Sequence, residues 1–188
     1  MIGIIDTGAG NLTSVRAALD RLGRAHATLA APETAGVSAL VVPGQGRFGA
    51  VMDRLDASGW TPALRRWIGG GRPCLGICIG MQVLFERSAE DPGVRGLGVL
   101  AGGAERLAFP KRPMVGWAPV AWSEPGLADG DAYFVNSFGV RASDAAVAET
   151  AYGERFVSAV RVGATVGVQF HPEKSGAWGQ RVLGALLP

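Results

Sequence analysis

Three short runs of almost unbroken apolar character, Ile2-Gly3-Ile4-Ile5, Ala39-Leu40-Val41-Val42 and Pro73-Cys74-Leu75-Gly76-Ile77, constrain the fold more than anything else in the chain. A strand that is apolar on both faces belongs in the middle of a sheet covered on both sides, which is the pattern of parallel strands in α/β folds. The residues after each run agree. Asp6 and a Gly-rich turn end the first, after which Leu12, Val15, Ala18, Leu19 and Leu22 recur at helical spacing until Gly23. Pro43-Gly44 ends the second, and the third leads into the helical pattern Met81, Leu84, Phe85. Strand, turn and helix in alternation predict an α/β fold with a mainly parallel central sheet and helices on both faces.

From about Gly96 the texture changes to alternating segments, Met114 to Trp122, Ala132 to Val135 and Val157 to Val162, separated by Gly, Pro and Asp turns. These predict antiparallel additions to the same sheet. Gly167-Val168-Gln169-Phe170 is expected to be a last strand, Trp178 to Leu187 a closing helix, and Ser88 to Gly96 an exposed loop. No repeat or linker interrupts the 188 residues, so a single domain over 1–188 is expected.

Bulk properties exclude several classes of function. Eighteen Lys and Arg against 16 Asp and Glu give a net charge of +2 without a basic cluster, so the footprint of nucleic-acid binding is missing. The N-terminus has no basic n-region followed by an apolar stretch, and nothing approaches the roughly 18 apolar residues of a membrane span. Cys74 and Cys78 match neither a Cys-x-x-Cys redox pair nor a zinc spacing, so no metal is expected, and reduced thiols in the cytoplasm suit them best. Gly8-Ala9-Gly10 has Thr13 where a dinucleotide fingerprint needs its third glycine, so no cofactor is expected.

The strongest chemical signal is Gly76-Ile77-Cys78-Ile79-Gly80, where an apolar strand meets a helix with glycines two residues either side of a cysteine. Such a turn is a nucleophile elbow. It needs small flanking residues, lifts the side chain above the sheet and leaves the next backbone N–H facing a developing oxyanion. A helix start also favours thiolate over thiol. A buried structural cysteine is the alternative, and Cys74, without flanking glycines, keeps that reading.

A thiolate needs a base, and the chain offers His26 and His171. His26, between two alanines at the start of an expected strand, reads as structural. His171 follows the last expected strand, and in an extended segment it would share a side with Glu173, which could then hold the imidazole tautomer. The carboxyl end of a strand is where open α/β sheets place their sites. Pro43-Gly44-Gln45-Gly46 also follows a strand, and its glycines permit a peptide flip that would present a second N–H to an oxyanion, although Pro-Gly is also ordinary turn chemistry.

Taken in order, Pro43-Gly44-Gln45-Gly46, Gly76-Ile77-Cys78-Ile79-Gly80-Met81-Gln82 and Phe170-His171-Pro172-Glu173 closely resemble the class I, or triad, glutamine amidotransferases, whose fold is flavodoxin-like. Within that class, Asp6 to Leu12, Met114-Val115-Gly116-Trp117, Tyr133 to Phe138 and Glu173-Lys174-Ser175-Gly176 are similar to the glutaminase subunits of imidazole glycerol phosphate synthases. The resemblance implies Cys78 as nucleophile, His171 as general base and acid, and Glu173 as its orienter. It implies an oxyanion hole at Ile79 and at Gly44, Gln45 and Gly46, with glutamine held by Gln82, Asn136, Ser137 and Phe138. It further implies a (β/α)8-barrel cyclase partner, met through Asn11, Trp117 and Lys174, that takes the ammonia. Three positions depart from the pattern: Asn136 and Phe138 stand where His and Tyr are more usual, and Ala118 where Asn is common. The last two lack polar groups that an interface or gate could use. Competing readings are the glutaminase of another synthase, such as that of pyridoxal phosphate, and a non-catalytic binding protein with an elbow cysteine.

Overall fold

The computed structural model describes residues 1–8 and 12–188. Its first half runs β1 (Ile2–Ile5), α1 (Leu12–Arg21), β2 (His26–Leu29), β3 (Ala39–Val42), α2 (Phe48–Ala57), α3 (Trp60–Gly69), β4 (Cys74–Ile77) and α4 (Ile79–Gln82). The second half is mostly strand: β5 (Phe85–Ser88), β6 (Leu100–Arg106), β7 (Met114–Trp122), β8 (Gly130–Asn136), β9 (Phe138–Gly139), β10 (Ala146–Tyr152), β11 (Glu154–Val162) and β12 (Thr165–Val168). A 3-10 turn (Pro172–Lys174) and α5 (Gly176–Leu186) follow.

Nine strands form one sheet in the order β2-β1-β3-β4-β12-β11-β10-β7-β8. The first five pair in parallel, in the spatial order of a flavodoxin-like sheet, and the remaining junctions are antiparallel. Every residue of β1, β3, β4 and β12 is buried, as their apolar runs require, whereas β7 alternates and has one solvated face. On the covered faces α1 and α5 are joined by Gln180 Nε2, which donates to the Ala18 carbonyl at 2.7 Å.

Four expectations need correction. The strand expected over 167–170 is β12 and ends at Val168, so Gln169 and Phe170 lie beyond the ladder. The helix expected through Phe85 is only the four residues of α4, because Phe85 opens β5. That strand joins β6 and β9 in a separate three-stranded sheet, so not every late strand adds to the main one. The segment 88–96 is more than an exposed loop, since Ser88 is buried and its neighbours cap α2. Glu90 Oε2 accepts the Phe48 N–H at 2.9 Å and Asp91 Oδ2 accepts the Gly49 N–H at 2.8 Å. Arg47, at the start of that helix, makes no side-chain cap of its own, so orphan N–H groups are satisfied from another part of the chain.

At the carboxyl edge of the sheet the backbone is packed against itself. A Cβ on Gly44 would stand 1.6 Å from the Ile77 carbonyl oxygen, one on Gly76 2.3 Å from that of Gly80, and one on Gly80 2.0 Å from that of Val42. All three obstacles are backbone, which cannot rotate aside. Gly80→Ala is expected to destabilise the fold by at least about 1–3 kcal/mol, the usual range for overpacking, while Gly69→Ala, with open space around it, should stay within about 1 kcal/mol of the parent. Denaturant unfolding of the two variants measures the difference.

Candidate active site

Cys78 stands between β4 and α4 with φ 52° and ψ −108°, the one positive φ outside glycine among the described residues. A side chain tolerates that backbone only when its surroundings fix it. The Cys78 N–H donates to the Val168 carbonyl at 2.7 Å, tying the elbow to the end of β12. The neighbouring glycines permit the close approach of α4 and β3, so the sequence signal and the geometry have one cause. The helix expected to stabilise a thiolate is only one turn long, and its dipole is correspondingly small.

His171 reaches the same place from just beyond the end of β12, the parallel neighbour of β4. Its backbone N–H donates to the Tyr133 carbonyl at 2.9 Å, and its Nδ1 lies 2.8 Å from Glu173 Oε1. A carboxylate only accepts, so Nδ1 carries the hydrogen and Nε2 is left for the thiol side. The two side chains do not share the face of an extended segment as the sequence suggested. His171 precedes the 3-10 turn that holds Glu173, and the turn brings the carboxylate to Nδ1. Both side chains are almost wholly buried, and Glu173 Oε2 has no partner among the described residues, so the carboxylate's charge is directed at the imidazole.

Cys78 and His171 open onto a cavity of about 430 Å³, within the usual range for a small-molecule site. Gly44, Gln45, Gly46 and Ile79 line one part of it. Gln82, Asn136, Ser137 and Phe138 line another. The Phe138 carbonyl accepts from Gln82 Nε2 at 3.1 Å and from Asn136 Nδ2 at 3.0 Å, whereas Gln82 Oε1 and Asn136 Oδ1 have no partners among the described residues. With Glu90 also on the wall, the cavity is rich in acceptors and suits a ligand bearing an ammonium group. Sequence reading missed Glu90, Pro113 and Val135 on the cavity, and Gln169 behind it. Glu90 was hidden in a segment that looks like a plain loop, and Gln169 was counted as part of a strand.

The family described as glutamine amidotransferase class-I matches residues 4–184 of this chain. The chain belongs to that family. Among relatives, the imidazole glycerol phosphate synthase subunit HisH of Synechococcus sp. (strain CC9902) is 42% identical over 97% of this chain and 91% of its own length. The HisH subunit of Shouchella clausii (strain KSM-K16) is 40% identical over 97% and 95%, and that of Methanopyrus kandleri 40% over 99% and 96%. A solved glutamine amidotransferase shares the fold with a TM-score of 0.82 at 24% identity, covering 98% of this chain and 97% of its own. PurLQS from Thermotoga maritima does so with 0.77 at 15% identity, covering 98% and 96%.

Of the three positions read in this amidotransferase as facing a partner, Trp117 is 56% exposed on β7, edge-on to Tyr133 at 6.1 Å, and Lys174 sits in the 3-10 turn beside Glu173. Asn11 lies outside the described residues. Exposed Val115 and Val135 pair across β7 and β8, and Val135 also lines the cavity, so this apolar strip begins where the cavity ends. Ala118 is buried and points away from the strip, so a polar side chain there would face the core. His26 pairs with Asp20 at 3.0 Å and takes no part in the site.

The electrostatics separate the two cysteines and define the histidine. Burial pushes the Cys74 thiol up to about 12, which leaves it an inert core residue. Burial also works against a charged His171, but hydrogen bonding to Cys78 and Glu173 and the electrostatic pull of both outweigh it, raising the imidazole from 6.5 to about 10. Raised in this way, the imidazolium persists through neutral pH and is lost as pH climbs through about 10. A proton taken from a thiol is therefore retained for a leaving group. In glutamine hydrolysis the basic limb of the pH–rate profile should lie above 6.5, and Glu173→Gln, which removes one acceptor and its charge, should move that limb to lower pH. Rates measured from about pH 6 to about pH 11 on both proteins decide this, and a limb that does not move would break the link between Glu173 and the base.

Proposed function

We propose that this chain is the glutaminase subunit of an imidazole glycerol phosphate synthase, working as a single domain over residues 1–188 and in the cytoplasm. The observation that carries the reading is the convergence, on one cavity at the carboxyl edge of the sheet, of an elbow cysteine and a buried histidine–carboxylate pair. The relatives named as HisH subunits support the choice of synthase. No helix among the described residues is long and apolar enough to cross a membrane.

In this reading Cys78 attacks the side-chain amide carbon of glutamine while His171 holds the thiol's proton. The oxyanion of the tetrahedral intermediate is met by the N–H of Ile79, a first helical N–H without an intrahelical partner, and by an N–H of the Gly44-Gln45-Gly46 loop. His171 then protonates the leaving nitrogen, which departs as ammonia and leaves a γ-glutamyl thioester. Water, deprotonated by the same imidazole, attacks the thioester to release glutamate and restore the thiol. Gln82, Asn136, Ser137 and Phe138 hold the amino-acid end of the substrate.

A second subunit consumes the ammonia. We assign the Val115, Trp117 and Val135 strip, with Asn11 and Lys174, to its docking surface, because an exposed apolar strip beside a cavity is an interface anchor rather than a surface for water. The partner that the resemblance implies is a (β/α)8-barrel cyclase, which would join ammonia to a ribulosyl nucleotide precursor and release imidazole glycerol phosphate and an aminoimidazole carboxamide ribotide in histidine biosynthesis. Glutamine turnover by the isolated chain should be low and should rise when the cyclase and its substrate are added, as the loop's population shifts toward the orientation that serves the oxyanion.

Two substitutions test the assignment. His171→Ala should lower glutamine hydrolysis by about 10²- to 10⁴-fold, with Glu173→Gln retaining more. A complex carrying Cys78→Ala should make no cyclase product from glutamine and normal amounts from ammonium salts. Product formed from glutamine by that complex would refute the division of labour.

A further inference from the structure

The one-turn helix after Cys78 adds little to what the His171 imidazolium does for a thiolate there. Another group stands ready. Gln169, fully buried, places Nε2 3.6 Å from Cys78 Sγ, within hydrogen-bonding range for sulfur. An amide helps a thiolate only if its nitrogen faces the sulfur, since its oxygen would repel the charge, and here the orientation is set by neighbours. The Phe138 carbonyl can only accept, so the Gln82 amide group 3.1 Å from it must be the nitrogen. That nitrogen lies 3.0 Å from the Gln169 amide, which must present its oxygen, because two NH₂ groups cannot bond to each other. The nitrogen of Gln169 is thereby turned to the sulfur. Reversing it would set donor against donor at Gln82 and oxygen against sulfur at Cys78, both of them deep in the protein where an unpaired polar group is costly.

We propose that Gln169 is a second donor to the Cys78 thiolate, beside the His171 imidazolium, and that its orientation is locked from the substrate-binding wall by a chain running from the Phe138 carbonyl through Gln82. The inference rests on the reading of Cys78 as the nucleophile. An N–H donor lowers the energy of a thiolate relative to a thiol and also makes that thiolate less nucleophilic, because the same electron pair is held. Gln169 therefore raises the fraction of reactive sulfur at neutral pH at the expense of its intrinsic reactivity. Filling space alone would do neither.

The test is the rate of alkylation of the full chain by iodoacetamide as a function of pH, with the modified residue identified by mass spectrometry. Gln169→Met, close in volume and without a donor, should react at Cys78 about tenfold more slowly at neutral pH, the effect of one charge-assisted hydrogen bond, with its half-rise moved to higher pH. Its plateau at high pH should equal or exceed that of the parent. Gln82→Met, which frees Gln169 to turn, should move the half-rise in the same direction by less. A Gln169→Met profile that superimposes on the parent, or falls by one factor at every pH, would overturn the proposal. An unmoved Gln82→Met profile would remove the lock, and that variant also decides the matter if circular dichroism shows Gln169→Met unfolded. The nucleophile is tested separately, by labelling the parent with an electrophilic glutamine analogue. An adduct away from Cys78 would sink the underlying assignment, whereas an adduct on Cys78 with superimposed alkylation profiles would sink only the role of Gln169.

Discussion

Contact between backbones, with no side chain between them, is what this site depends on. The end of β3, the elbow after β4 and the first turn of α4 nest so closely that Gly44, Gly76 and Gly80 each occupy space a methyl group would take from a carbonyl. That packing fixes Cys78 at a positive φ and sets the Gly44–Gly46 stretch directly against it. The Glu90 and Asp91 caps then anchor the start of α2, so the short segment between β3 and α2 is fastened at both ends. A strained residue of this kind persists because many independent contacts determine it, which is how functional positions are usually held.

Much of this was legible because it is written in local pattern. The apolar runs at Ile2 and Ala39 mark strands to the residue and the run from Pro73 marks one that starts a residue later, since a strand buried on both faces admits no polar position, and the alternation of Met114 to Trp122 marks a half-solvated one equally well. The elbow cysteine and the His171–Glu173 pair were found for the same reason: glycine flanks and strand ends are features of neighbouring residues. Resemblance to the family then extended the set to Gln82 and to residues 136–138, which line the cavity together.

What was not legible depends on contacts between distant positions. Glu90 caps a helix 42 residues away, and Gln169 reaches Cys78 across 91 residues, so neither leaves a trace in local periodicity. Met81, Leu84 and Phe85 have helical spacing, yet the helix stops at Gln82 and Phe85 enters a strand beside Leu100, where ladder pairing outweighs weak helical preference. The His171–Glu173 geometry came from a turn in place of an extended segment. The pairing was right and the reason for it was not, because the turn after the extended His171, in place of a shared strand face, carries Glu173 to Nδ1.

The thiol of Cys78 also has a second neighbour, the Val135 carbonyl at 3.9 Å, which can accept only from S–H. Carbonyl and amide thus ask opposite things of the same atom, one favouring the resting acid and the other the reactive base. The carbonyl belongs to β8, an edge strand of the main sheet whose outer side is bonded to His171 and Ser175 and which carries the exposed end of the apolar strip. One peptide thus separates the sulfur from the exposed strip at the molecular surface, and that peptide holds the thiol in its resting, protonated form.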